Sequence, residues 1–137
     1  MREILFRGKR IDNGEWVEGY YAAEPYMKNT YNCGYILENE KDVFAKKAWL
    51  VDSRTVGQYT GLTDKNGTKI FEGDCFKTYC TGLPVYKHIV GYYPEHFAFM
   101  ARCIEMNTVH YLSDYRPSAI EIIGNIYDNP ELLEATE

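Results

Sequence analysis

Residues 60–74 read TGLTDKNGTKIFEGD, and the nature of Asp64-Lys65-Asn66-Gly67 decides what fold the chain can build. A calcium loop places oxygen ligands at positions 1, 3 and 5, glycine at 6 and glutamate at 12. With Gly67 at position 6, Leu62 falls at 1 and Gly73 at 12, and a leucine cannot ligate calcium. A phosphate cradle needs Gly-x4-Gly-Lys-Ser/Thr running into a helix. Here the turn runs instead into Lys69-Ile70-Phe71, a strand-forming run. The stretch therefore reads as a hairpin corner, Asn-Gly between two strands.

A second corner, Asp12-Asn13-Gly14, separates EILFRGKRI (3–11) from EWVEGYY (15–21). A tight two-residue turn asks both central residues for positive φ, which Asn-Gly tolerates best. Ile4 and Phe6 are expected on one face of the first strand, and Leu5 and Arg7 on the other. Further period-two or β-branched runs follow at TVGQYT (55–60), KIFEGDCFKTY (69–79), VYKHIVGYY (85–93) and AIEIIGNIY (119–127). FAFMARCIEM (97–106) fits a strand, though its Ala, Met and Arg tolerate a helix. Asp52-Ser53 reads as a turn or cap, and Gly73-Asp74 as a bend. Residues 22–48 suggest a loop, a short strand at 35–37 and a polar turn at 38–42. At the end, Asn129 is placed as N-cap, Pro130 at the first helical position and Glu131 in the first turn of a short C-terminal helix.

Composition agrees with a mainly β protein. The 137 residues include 13 Tyr, 6 Phe and 2 Trp, which favour strands. Fifteen basic against twenty acidic residues leave a net charge of −5, which disfavours a phosphate backbone or an anionic membrane as default partner. No run approaches the ~20 apolar residues that span a bilayer, and MREILFRGKR lacks the apolar core of a signal peptide, so a cytoplasmic location is expected. Cys33, Cys75, Cys80 and Cys103 are then expected as reduced thiols. Only Cys75 and Cys80 lie close together, and His88, His96 and His110 stand at no recognisable ligand spacing, so no metal or cofactor is expected.

Four ordered blocks carry a family resemblance: REILFRGKR with NGEWVEGY, then TVGQYTGLTDKNGTKIFEGD, then IEIIGNIYDNPELL. Together they resemble the signature blocks of the YopX family of phage and prophage proteins, and they run from residue 2 to residue 133. The resemblance implies a largely β structure with a small SH3-like, partly open barrel, set in a phage or prophage context in a bacterial cytoplasm. It implies no particular chemistry. The expected division is an N-terminal β-hairpin region at 1–55 and a barrel region with a C-terminal helical turn at 56–137.

Three function classes can be weighed on the residues. Asp64, Glu72 and Asp74 form an acidic group beside Lys65 and Lys69; paired carboxylates can do acid–base work, but as turn residues they are expected to be solvated charges. No nucleophile signature such as Gly-x-Ser-x-Gly occurs, so an enzyme is the remote alternative. Nucleic acid is the nearer competitor: Arg7, Lys9 and Arg10 adjoin Phe6, and Tyr92, Tyr93 and Phe97 could stack bases, as in small barrels that bind single-stranded RNA or DNA. The preferred reading is a non-enzymatic protein-interaction or regulatory module, because tyrosine combines an apolar body with a polar tip and is enriched at interfaces. A protein partner or self-association into a homo-oligomer is the expected partnership.

Overall fold

A computed structural model describes residues 3–23, 32–38, 48–79, 82 and 84–134. The chain divides into two compact units, 1–59 and 60–137. Both are built on antiparallel sheets.

In the first unit β1 (Phe6–Arg10) pairs with β2 (Trp16–Ala23), β2 with β3 (Cys33–Leu37), and β3 with the opening of β4 (Ala48–Thr63). β4 also pairs with β1, so Val51 and Asp52 bond to strands on both sides. Leu5, Ile36, Val51 and Tyr59 are the buried hydrophobic side chains that these strands enclose, with the Thr55 side chain buried beside them. Leu5 is buried while Ile4 is exposed, as alternation from Leu5 requires.

The Asp52-Ser53 turn signal marks a bulge rather than a chain reversal. β1 passes from Arg7↔Gly57 to Lys9↔Asp52, leaving residues 53–56 opposite Gly8 alone. The Thr55 hydroxyl repairs the interrupted ladder. It accepts the Lys9 N–H at 2.9 Å and donates to the Asp52 carbonyl at 2.6 Å. Gly8 suits this spot, because a Cβ there would press on the side chains of Val51 and Val56.

The 12–14 corner is looser than a two-residue turn. Arg10 N–H donates to the Glu15 carbonyl at 2.8 Å and Gly14 N–H to the Arg10 carbonyl at 2.9 Å, so four residues make the loop. Gly14 has φ +74°, but Asn13 is not among the residues with positive φ. Its side-chain oxygen instead accepts the Glu15 N–H at 2.9 Å, the Asx arrangement that stabilises a longer loop.

The second unit starts with the end of β4 and β5 (Lys69–Phe71), joined by the 64–67 corner. Its main sheet has the order β10-β6-β7-β8-β9, from β6 (Asp74–Thr78), β7 (Lys87–Tyr93), β8 (Ala98–Cys103), β9 (Thr108–Tyr111) and β10 (Ile120–Asn125). FAFMARCIEM thus contributes a strand, and β9 is an edge strand unforeseen in the sequence. Ile70, Phe76, Val90, Ala101, Leu112 and Ile120 form the core cluster, with Leu62, Phe99, Tyr115 and Ile122 against it.

Two expectations need correction. The barrel is not clearly closed: among the described residues no pairing joins the outer strands β9 and β10. The C-terminal helix is a single 3-10 turn over Pro130–Leu133. Asn129 precedes it, as expected, but makes no side-chain cap; its oxygen accepts the Asn125 N–H at 3.2 Å instead. The chain folds back here because Gly124 leaves room, since a Cβ at that position would run into the Asn129 side-chain oxygen. The turn expected at 38–42 lies outside the described residues apart from Glu38, and the short strand expected at 35–37 is the end of β3.

The 64–67 corner is also more than a corner. Gly67 N–H donates to the Asp64 carbonyl at 3.0 Å, Asp64 N–H to the Thr68 carbonyl at 2.9 Å, and Gly67 takes φ +79°. This is a three-residue hairpin loop with its glycine in the left-handed position. The Asp64 carboxylate is buried, 5% exposed, rather than solvated. It accepts the N–H groups of Asn66 and Thr68 at 2.9 Å each, and of Ile122 on β10 at 3.1 Å. Lys65 N–H donates to the Ile120 carbonyl at 2.9 Å, so the corner is fastened to β10 twice. Burial pushes the Asp64 pKa up, but the bonds from Ile122, Thr68 and Asn66 outweigh it and the net shift is downward. Asp74 is buried too, with its carboxylate accepting the Phe71 N–H at 2.8 Å. Both aspartates hold backbone in place.

Gly14→Val and Gly67→Val should each destabilise by about 1–2 kcal/mol, from the left-handed backbone alone, since a Cβ at either site meets nothing within 4 Å. Chemical denaturation of the two variants checks this, and unchanged midpoints for both would mean the corners are misplaced. Asp64 makes a second expectation. Its pKa is lower folded than unfolded, so its stabilisation is complete above an unfolded value of about 3.9 and disappears as pH falls through the folded value. Asp64→Asn should cost about 1–3 kcal/mol at pH 7 and lose less stability than the parent between pH 4 and pH 2. Parallel pH profiles would contradict the assignment.

Candidate functional site

The basic residues expected to form a binding surface lie on β1 of the first unit. Arg7 and Lys9 alternate onto one face, where both meet Trp16. The Arg7 guanidinium lies 4.6 Å and the Lys9 ammonium 5.8 Å from the ring centroid. Lys9 and Trp16 are cross-strand partners, which sets this arrangement by register. Arg10 turns away to a two-pronged bond with Asp12, at 3.0 and 2.6 Å. That bond raises the Arg10 pKa and lowers that of Asp12. Two of the three cations therefore cover an aromatic face, and the third is matched by a carboxylate.

The aromatic residues expected beside them belong to the second unit. Tyr92 and Tyr93 are neighbours on β7 and so point to opposite faces. Tyr92 packs edge-on against its cross-strand partner Phe99, centroids 5.3 Å apart. Tyr93 lies over Gly91 on the other face. Phe97 stands apart from both, in the connection between β7 and β8. It is 87% exposed and its φ is +50°. The 3-10 turn Pro94–His96 forces this conformation, with Phe97 N–H closing onto the Pro94 carbonyl at 3.1 Å. A bulky side chain in the left-handed region is strained, and a fully solvated phenylalanine gains nothing from folding in return. Nearby, Tyr111 on edge strand β9 is exposed and meets His96 edge-on at 6.1 Å.

A second feature of the unit escaped sequence reasoning. His88, Cys103 and Thr108 form one cross-strand row on β7, β8 and β9, on the face that carries the core residues Val90 and Ala101 in the adjoining row. Beyond that core the row opens into a cleft of about 310 Å³, closed by Tyr86, Met106, His110 and Tyr115. His88 is 5% exposed. Its ring stacks on Phe76 at 4.9 Å, and Tyr115 meets it edge-on at 5.3 Å. Its Nε2 lies 3.5 Å from the Thr78 hydroxyl, while its Nδ1 is buried with no hydrogen-bond partner among the described residues. Burial lowers the His88 pKa, with Glu105 opposing and His110 reinforcing the shift, which favours the neutral ring. The only signal available earlier was parity: His88 stands two residues before Val90 and shares its face. Nothing local announces Tyr115.

The remaining candidate chemistry is muted. Burial pushes the Cys75 thiol up to about 11, which leaves little thiolate to act as nucleophile at neutral pH. Cys103 is buried, its sulfur 3.8 Å from a Glu105 carboxylate oxygen. That carboxylate also accepts the Lys87 N–H at 3.0 Å. Cys80 lies outside the described residues. Among the described residues no group of three or more His, Cys, Asp or Glu side chains could hold a metal ion, and no helix is long and apolar enough to cross a membrane. Lys65 and Lys77 lie over the exposed Tyr79 ring at 4.5 and 5.4 Å, and both approach Glu121 at 3.8 Å. The Tyr79 hydroxyl donates to the same carboxylate at 2.6 Å, so Glu121 gathers both lysines and the tyrosine around it.

Known proteins match this architecture over nearly its whole length. The crystal structure of protein EF1440 from Enterococcus faecalis is similar with a TM-score of 0.57 and 23% sequence identity, covering 98% of this chain and 100% of that one. At such identity the likeness shows the fold alone. No curated protein matches the chain. The family model described as YopX protein matches residues 5–134, which takes in both units and every strand described above. The chain belongs to the YopX family.

Proposed function

We propose that the chain is a non-enzymatic protein-interaction module of a phage or prophage, acting in the bacterial cytoplasm. One observation carries this reading: Phe97 is held almost wholly in solvent by a strained, left-handed backbone. Strain of this kind costs folding stability and clusters at functional sites, which supports reading Phe97 as displayed to a partner. A rigidly presented aromatic ring is the usual anchor of a protein interface, where it enters a pocket on the other molecule. Tyr111 and His96 beside it extend the surface along the edge of β9. The partner is a different protein or a second copy of the chain. The order β10-β6-β7-β8-β9, with a 3-10 turn at Pro117–Ala119 just before the last strand, supports reading the second unit as a partly open SH3-like barrel, a frequent scaffold for such modules.

Nucleic acid is the second reading, favoured by the pairing of Arg7 and Lys9 with Trp16. An aromatic face flanked by cations is the basic unit of single-strand recognition. Here the cations already occupy the ring, and the chain carries five net negative charges.

Phe97→Gly separates these readings. Glycine accepts the left-handed backbone, so the variant should be as stable as the parent or more so. It should nevertheless lose the protein partner, or the self-association, that the parent shows in nuclease-treated host lysate and in sedimentation. A partner retained at full strength by Phe97→Gly contradicts the proposal. So does binding of short single-stranded oligonucleotides at physiological salt that is abolished by Arg7→Ala with Lys9→Ala.

A further inference from the structure

We infer that Asn13 is a site of spontaneous modification, losing its side-chain amide by ring closure onto the Gly14 nitrogen, while Asn66 in the same dipeptide is shielded. The chain contains two Asn-Gly pairs, Asn13-Gly14 and Asn66-Gly67, and asparagine is among the thermolabile residues. All four residues are exposed. Each glycine has open space where a side chain would stand, so neither backbone nitrogen is sterically screened. Sequence and exposure therefore treat the two sites alike, and only their hydrogen bonds differ.

The chemistry defines what to look for. Hydroxide takes the proton from the glycine nitrogen, which adds to the asparagine Cγ. The new C–N bond closes a five-membered succinimide, and the amide nitrogen, protonated by water, leaves as ammonia. Water then opens the ring at either carbonyl. Attack at Cγ gives aspartate, and attack at the main-chain carbon gives isoaspartate, in which the backbone runs through the side chain. Negative charge gathers on Oδ1 when the nitrogen adds, and the peptide that follows the asparagine must turn to bring the nitrogen in.

At Asn13 the loop helps both steps. The Glu15 N–H already donates to Oδ1 at 2.9 Å, where a fixed backbone donor stabilises a developing oxyanion. The same bond folds the side-chain amide back along the Gly14 peptide. Gly14 N–H must leave the Arg10 carbonyl, but among the described residues 12–14 bond only to Arg10 and Glu15. Turning this peptide disturbs nothing beyond the hairpin end.

At Asn66 neither help is present. No hydrogen bond reaches its side chain among the described residues. Its own N–H and that of Thr68 are held by the Asp64 carboxylate, and Gly67 N–H by the Asp64 carbonyl. Lys65 N–H and Ile122 N–H tie the same loop to β10. Ring closure here has to wait for the corner to open, and reactivity through local opening falls with the free energy of that opening.

The modification adds a carboxylate to a loop that already carries Asp12 and Glu15, and its isoaspartate form lengthens the β1–β2 corner. It depends on neither Phe97 nor the proposed partner. The test ages the full chain in mildly alkaline buffer, with and without urea, and follows both sites by mass spectrometry that separates asparagine, aspartate and isoaspartate. In the native chain Asn13 is expected to convert about tenfold faster than Asn66, and in urea the two rates should come within about threefold. Asp64→Asn is expected to raise the Asn66 rate severalfold and leave that of Asn13 unchanged. Equal native rates, faster conversion of Asn66, or no conversion at either site overturns the inference. So does a ratio that persists in urea, since its cause would then be sequence alone, or an Asn66 rate unmoved in folded Asp64→Asn. The comparison with urea uses the parent chain, so it stands even if the variant does not fold.

Discussion

Three backbone N–H groups, from Asn66, Thr68 and Ile122, converge on the buried carboxylate of Asp64. Two of them come from its own hairpin, one in the loop and one just after it, and the third lies on the last strand of the sheet. A charge in that position would be expensive without partners, and its bonds both offset the desolvation and fix the loop against β10. The reciprocal bond from Lys65 N–H to Ile120 completes a two-point attachment between chain segments far apart in sequence. Ile70, which follows the loop, and Ile120 both belong to the core cluster, so the attachment also aligns the apolar residues that stabilise the unit. The Asp74 carboxylate repeats the device on a smaller scale at the next bend.

Within the second unit, two groups depart from this well-satisfied frame. Phe97 exposes a large apolar ring from a strained backbone, and His88 buries a nitrogen without a partner. Sequences that fold well are consistent at every level except where function requires otherwise, and the interaction surface proposed above rests on the Phe97 departure. Both lie on the β7–β8 pair, one in its connection and one near its opposite end. The same hairpin can thus display one side chain and shelter another. The charges of the basic residues of β1 meet Trp16 and Asp12.

Much of the fold was legible because strands alternate and glycine corners have a chemical signature. Gly14 and Gly67 take the positive φ that their Asn-Gly dipeptides announced, and KIFEGDCFKTY, VYKHIVGYY and AIEIIGNIY all supply strands. What failed were features set by tertiary contacts. Asp64 looked solvated because a turn acid usually is, and only its bond to Ile122, 58 residues away, explains its burial. Asn129 looked like a helix cap, but Gly124 allowed its side chain to reach back to Asn125 and a single 3-10 turn sufficed. β9 is four residues long with every one exposed, too short a run for the alternation of Val109 and Tyr111 with Thr108 and His110 to reveal it. Of the residues proposed for a surface, Phe97 was identifiable as an aromatic but not as strained. His88 was indistinguishable from any core histidine until its neighbours were in place.

Amide hydrogen exchange at Thr68 and Ile122 tests the central claim most directly, because both N–H groups end on the Asp64 carboxylate. At neutral pH both amides should exchange only through global unfolding, with protection equal to that of the β6–β7 core. Below the titration of Asp64 their protection should fall together, ahead of the core. Rapid exchange at neutral pH, or loss of protection at one amide without the other, would show that Asp64 does not join the corner to β10.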